Sequence, residues 1–154
     1  MKSYFDHEKL DVYQLELSFI ARLTSLLTNV KQRSGNARTA EVIDQLDRAR
    51  LSALLNTAEG NGRPQRQTRA KFFDDARGSV TECAACLDAL VAKKVCTSEE
   101  IDEEKQLLWR IAFMLIKPIS LFDSSSSFSS VREEPEKQGF DDDDEDENEE
   151  EKKL

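Results

Sequence analysis

An all-α domain, an antiparallel up-down-up-down four-helix bundle, is what this sequence predicts. Three observations carry the expectation. Apolar residues recur at three- and four-residue spacing in four long segments, short polar connections separate those segments, and no stretch shows the strict alternation of a half-buried strand. The 154 residues suit one such domain, assigned to residues 1–122. A Ser-rich, acidic tail follows at 123–154 and is expected to be disordered.

The first helix is expected from about Asp6 to about Thr28. Val12, Leu15, Phe19, Leu23 and Leu26 form its stripe, with Ile20 and Leu27 widening it. Lys31–Arg38 is polar, contains Gly35 and reads as a loop. The second helix is expected from about Thr39 to Glu59, with Gly60 as a left-handed terminator. Val42, Ile43, Leu46, Ala49, Ala53 and Leu54 share one broad stripe. Leu51, Leu55 and Ala58 make a second apolar strip that one core cannot easily cover.

Asn61-Gly62-Arg63-Pro64 is a turn by composition. The third helix is expected from Gln67 or Thr68 to about Lys93, burying Phe72, Phe73, Ala76, Val80, Cys83, Leu87, Leu90 and Val91. Thr97 and Glu100 have capping-box spacing at the start of the fourth helix. Its main stripe is Ile101, Leu108, Ile111, Leu115 and Ile119, broadened by Trp109, Phe113 and Ile116. Pro118 is expected to stop or kink it.

Beyond Phe122 the composition changes. Ser124–Ser130 is six serines around one phenylalanine, and Asp141–Glu151 is almost continuous acid. From Asp123 onward, fourteen acidic side chains face four basic ones, a net of −10, whereas residues 1–122 carry a net of +1. The acidity of the chain therefore belongs to the tail, and its overall pI says little about the bundle's partners. No apolar run approaches membrane-span length, and Met1–Leu10 has no apolar signal core, so a cytoplasmic protein with reduced thiols is expected.

The second and third helices carry the most specific pattern. It runs QLDRARLSALLNTAEGNGR and then FFDDARGSVTECAACLDAL, after an opening LDVYQLEL in the first helix. Gln45-Leu46, Arg48, Ser52, Asn56, Ala58-Glu59-Gly60, Gly62-Arg63, Phe72, Ala76, Gly78-Ser79 and Glu82 are the residues concerned. Over residues 5–122 this resembles the bacterial four-helix-bundle proteins first noticed as reading frames inside ribosomal RNA intervening sequences. More distantly it resembles the accessory variability determinants of diversity-generating retroelements. Arg50 and Leu51 stand where the family is usually small, and the acidic tail lies outside its pattern. The resemblance implies a bundle that assembles as a ring, typically a pentamer, without catalytic residues. For the retroelement relatives it implies an accessory subunit that binds a reverse transcriptase and nucleic acid.

Each candidate site has a plainer reading beside it. Cys83 and Cys86 form C-x-x-C, but mid-helix and within the apolar stripe, so core packing is expected rather than metal or redox chemistry. His7 stands alone near the chain start, with no nucleophile arrangement around it, and reads as a solvated first-turn residue. Asp74 and Asp75 point about 100° apart on a helix and read as a solvated face. No catalytic residue, metal, cofactor, membrane or small-molecule substrate is expected.

Gln45, Arg48, Ser52, Asn56 and Glu59 form a polar strip between the two apolar faces of the second helix. A hydrogen-bonding network is favoured there over a recognition surface. Arg48, Arg50, Arg63, Arg66, Arg69, Lys71 and Arg77 are opposed in that stretch only by Glu59, Asp74 and Asp75. They suit phosphate contacts to RNA or DNA, or equally a solubilising turn with local ion pairs. The tail is either a solvating appendage, the plainer reading, or a polyanion that covers the basic turn. Leu51, Leu55 and Ala58, with Trp109, Phe113 and Ile116, are expected to meet further copies of the chain. The expected function is an oligomeric accessory protein binding nucleic acid or an enzyme such as a reverse transcriptase. The alternative is an adaptor that binds only proteins.

Overall fold

The computed structural model describes residues 2–33 and 39–122; residues 34–38 and 123–154 lie outside the described residues, and with them the expectations of a loop at 34–38 and of tail disorder. Four long helices form the bundle: α1 Asp11–Arg33, α2 Ala40–Gly62, α3 Arg66–Ala92 and α4 Ser98–Phe122. Each packs on its chain neighbours, and α1 also packs on α4, so α1/α3 and α2/α4 are the diagonal pairs. Cross-links between side chains fix the directions. Thr57 near the end of α2 meets Glu16 near the start of α1, and Arg33 at the end of α1 meets Glu100 at the start of α4. Every adjacent pair is thus antiparallel. The ends of α2 and α4 and the starts of α1 and α3 share one end of the bundle.

The core follows the expected stripes closely. Leu23, Ile43, Leu46, Leu87, Leu90, Leu108, Ile111 and Leu115 are fully buried. Cys83 and Cys86 sit among them, and burial pushes the Cys83 thiol up to about 12, as suits a packing residue rather than a nucleophile. Four boundaries differ from expectation. α1 runs on to Arg33, past its expected end near Thr28 and into the segment read as a loop. Asp6–Lys9 is a separate 3-10 turn, because Glu8 folds back and accepts the Tyr4 and Phe5 amides at 2.6 and 2.9 Å. His7 is therefore not a solvated first-turn residue. It is half-buried, stacked on Phe5 and edge-on to Tyr13.

Gly60 does not terminate α2 in a left-handed conformation. The helix runs on to Gly62, and Gly60 is buried where a Cβ would stand 3.0 Å from Phe72 Cβ and 3.4 Å from the Arg69 carbonyl. The glycine serves close helix approach rather than helix termination. Nor does α4 stop at Pro118; it continues to Phe122. Its start is as expected: Thr97 Oγ1 accepts the Glu100 amide at 3.3 Å, and Glu100 accepts the Thr97 amide at 2.9 Å.

One core feature escaped the apolar pattern. Glu16 is buried in the seam Val12–Glu16–Phe19–Leu23–Leu27–Val30. Thr57 Oγ1 donates to its Oε1 at 2.7 Å, and its Oε2 has no partner among the described residues. Burial raises the carboxyl to about 7, against the smaller opposing effect of the Thr57 hydrogen bond.

Candidate functional site

The polar strip of α2 faces α3 as a ladder. Gln45 Nε2 donates to Glu82, and Arg48 donates to the Gln45 carbonyl oxygen. One turn on, Asn56 Nδ2 donates to Ser52 Oγ at 3.2 Å, and Ser52 and Ser79 hydroxyls meet at 2.9 Å. Ser79 donates its one proton to the Asp75 carbonyl at 3.0 Å, so Ser52 is the donor in the serine pair. The network sets the register of two helices that approach closely at Gly60. Gly78 and Gly62, by contrast, have open space where a Cβ would stand.

The seven candidate cations divide. Arg50 is the clearest departure from a phosphate-binding role: it is half-buried and turned onto α1. It pairs with Asp47 at 2.5 Å and donates to the Ile20 carbonyl at 3.1 Å and the Thr24 hydroxyl at 3.0 Å. Arg77 pairs with Asp74 at 2.8 Å. Arg63 pairs with Glu59 and lies over the Phe72 ring, 5.1 Å from its centroid. Arg69 donates to Asn61 at 3.3 Å.

Arg66 and Lys71 are exposed and hold no partner among the described residues. All four cations of residues 63–71 stand at one end of the bundle, and that nine-residue run contains no carboxylate. Connecting α2 to α3 takes only residues 63–65, so Arg63 and Arg66 flank one tight corner. Two guanidinium forks held by neighbours, with a third and one ammonium unpaired among the described residues, can bind phosphate oxygens; they offer no base or nucleophile.

Two apolar patches lie on diagonal helices. Leu51 and Leu55 on α2 are each more than half exposed, with Ala58 half-buried beside them. Trp109 and Phe113 on α4 are likewise more than half exposed, their rings stacked at 5.7 Å, with Ile116 half-buried below. Lys105, Gln106, Trp109 and Arg110 line a shallow, open depression there. Among the described residues no three His, Cys, Asp or Glu side chains converge on a metal position. No helix among them is long and apolar enough to cross a membrane.

No curated protein and no solved structure matches the chain. A family model does. Residues 8–117 match that of the 23S rRNA-intervening sequence proteins, a span taking in α1 to α3, α4 as far as Lys117, the polar ladder and the basic corner, and the chain belongs to that family.

Proposed function

We propose that this protein is a non-catalytic accessory subunit, acting as an oligomer, that binds RNA through the corner between α2 and α3. The observation that carries the reading is the run 63–71, with four cations and no carboxylate at one end of the bundle. A family tied by its description to ribosomal RNA supports it. Its compartment on this reading is the cytoplasm, and its protein partner is a nucleic-acid enzyme such as a reverse transcriptase. The direct test uses fluorescence anisotropy with a single-stranded RNA at about 50 mM salt, where phosphate contacts are strong. Arg66→Glu with Lys71→Glu should abolish binding and leave helical content unchanged, because neither side chain holds another residue. Binding by the natural chain should weaken steeply with salt. Unchanged affinity in the double variant would remove the corner from consideration.

Oligomerisation is part of the same proposal. Two different apolar patches on opposite helices fit a head-to-tail contact, α2 of one copy on α4 of the next, which closes into a ring if the rotation permits. Five copies is the count the family resemblance implies. Leu55→Glu and Trp109→Glu should each give monomers by light scattering. Mixed in equal amounts, they should give a heterodimer and nothing larger, since each supplies the patch the other lacks. Dimers formed by either variant alone would point instead to like-with-like contacts.

A second reading, a protein–protein adaptor, is favoured by one observation: Arg48, Arg50, Arg63, Arg69 and Arg77 are already engaged within the bundle. On that reading the natural chain retards no nucleic acid even at low salt.

A further inference from the structure

The chain carries its own polyanion, and topology decides where that polyanion starts. Asp88 on α3 pairs with Lys105 on α4 at 2.6 Å. The two helices are antiparallel, so equal steps from that pair stay level. Seventeen residues back along α3 is Lys71, and seventeen on along α4 is Phe122, the last helical residue. Phe122, where α4 ends, is therefore level with Lys71 along the bundle axis, on the neighbouring helix with roughly 10 Å between the axes. Arg66 lies about 8 Å further out along α3, past the end of α4.

We propose that the acidic run Asp141–Glu151 docks on the α2–α3 corner of its own chain and occupies the cations Arg66 and Lys71. This rests on the corner being the phosphate-binding site, and it supplies that site's regulation. Three observations support the choice of occupant. The run holds ten carboxylates in eleven residues, opposite a nine-residue corner with four cations and no acid. Residues 123–140 are a tether able to span up to about 60 Å, so reach is not limiting. The opposite end of the bundle is mixed in charge. There Lys31, Arg33, Lys93 and Lys94 share the space with Glu99, Glu100, Asp102 and Glu103 in the first turns of α4, and Arg33 already pairs with Glu100. A tethered ligand acts at high local concentration, so individually weak contacts suffice. Carboxylates in a row present anionic oxygens to the same guanidinium forks that would receive RNA phosphates. Nucleic acid and tail then compete for one surface, and RNA gains the corner only by displacing the acid.

The experiment uses the full-length chain, with and without the ten acids of 141–151 changed to Asn and Gln. Zero-length carbodiimide cross-linking joins a lysine amine to a carboxylate in contact with it. At about 50 mM salt, Lys71 should link to residues 141–151 several-fold more often than Lys93 or Lys94, and about 0.5 M salt should remove the preference. Chains mixed with isotope-labelled copies should show the link within one chain. In parallel, the neutralised tail should tighten binding of a short oligouridine by about tenfold at moderate salt. Links spread evenly over all lysines, or found mainly between labelled and unlabelled chains, would overturn the proposal. So would oligouridine binding that is indifferent to the neutralised tail. If Lys71 links to the tail but neither chain binds oligouridine, the cis contact stands and the RNA reading of the corner falls.

Discussion

Along the inner α2–α3 seam the helices meet through small groups, Gly60 under Phe72, Ser52 against Ser79, and Ala49, Ala53 and Ala76 in the core between them, with the longer Gln45–Glu82 bridge at its rim. The seams of α1 are bridged by long side chains. Arg22 reaches Glu103 and Glu104, Arg33 reaches Glu100 at 2.6 Å, and Arg50 reaches the Ile20 carbonyl. Glu16 departs from that pattern, a buried carboxyl answered by a hydroxyl rather than a cation. Short contacts make a seam sensitive to volume. Charged contacts make one sensitive to pH and salt. The same bundle should therefore respond to different insults on its two sides.

The largest test of that contrast is Glu16. Its folded value of about 7 lies above the ordinary 4.5, so the folded state prefers the proton. The stability it contributes is present below about pH 4.5 and is lost as pH rises towards 7, at roughly 1.4 kcal/mol per pH unit, or about 3 kcal/mol in all. Glu16→Gln should remove this slope and be the more stable protein at pH 8, read as a higher urea midpoint. Parallel midpoint-against-pH curves for the two proteins between pH 5 and 8 would contradict it.

Next in size is Gly60→Ala. Alanine is the better helix former by up to about 1 kcal/mol, but its Cβ would crowd Phe72 at the root of that side chain, which cannot swing away. Overpacking should win, and the variant should lose about 1–2 kcal/mol. A gain in thermal midpoint would show that the seam can open. The smallest effect sharpens the same point with the sign reversed. Gly78→Ala on α3 meets nothing within 4 Å, so propensity alone acts, and it should stabilise by about 0.5–1 kcal/mol.

Periodicity made most of the fold legible, because α-helical stripes repeat whatever their partners. The buried stripes of α2 and α4 are nearly those expected, and the paired signals Thr97 and Glu100 form the predicted cap. What stayed hidden depends on residues distant in sequence. Glu16 lies within its own stripe, between Leu23 and Leu27 on the helical wheel, so spacing alone would have placed it inside. Its charge argued it outside, and Thr57, 41 positions away, is what makes burial tolerable. Gly60 looked like a terminator because polar and glycine residues follow it; the approach of Phe72 from α3 gives it another task. Likewise a count of basic residues could not tell Arg50, spent on α1, from Arg66, which faces solvent.

The sparse attachment of α1 also bears on the order in which the bundle can form. Connections of three and five residues join α2 to α3 and α3 to α4, so most contacts of these helices are local and close quickly. α1 has no such nearby partner on one side: its ion pairs run to Glu100, Glu103 and Glu104 on α4. During synthesis α1 leaves the ribosome before the other three helices, yet part of its docking surface is α4, the last of the four to be translated. The first of the four helices to be made is thus the last to be sealed, and for that interval the apolar stripe of α1 stays uncovered on its α4 side.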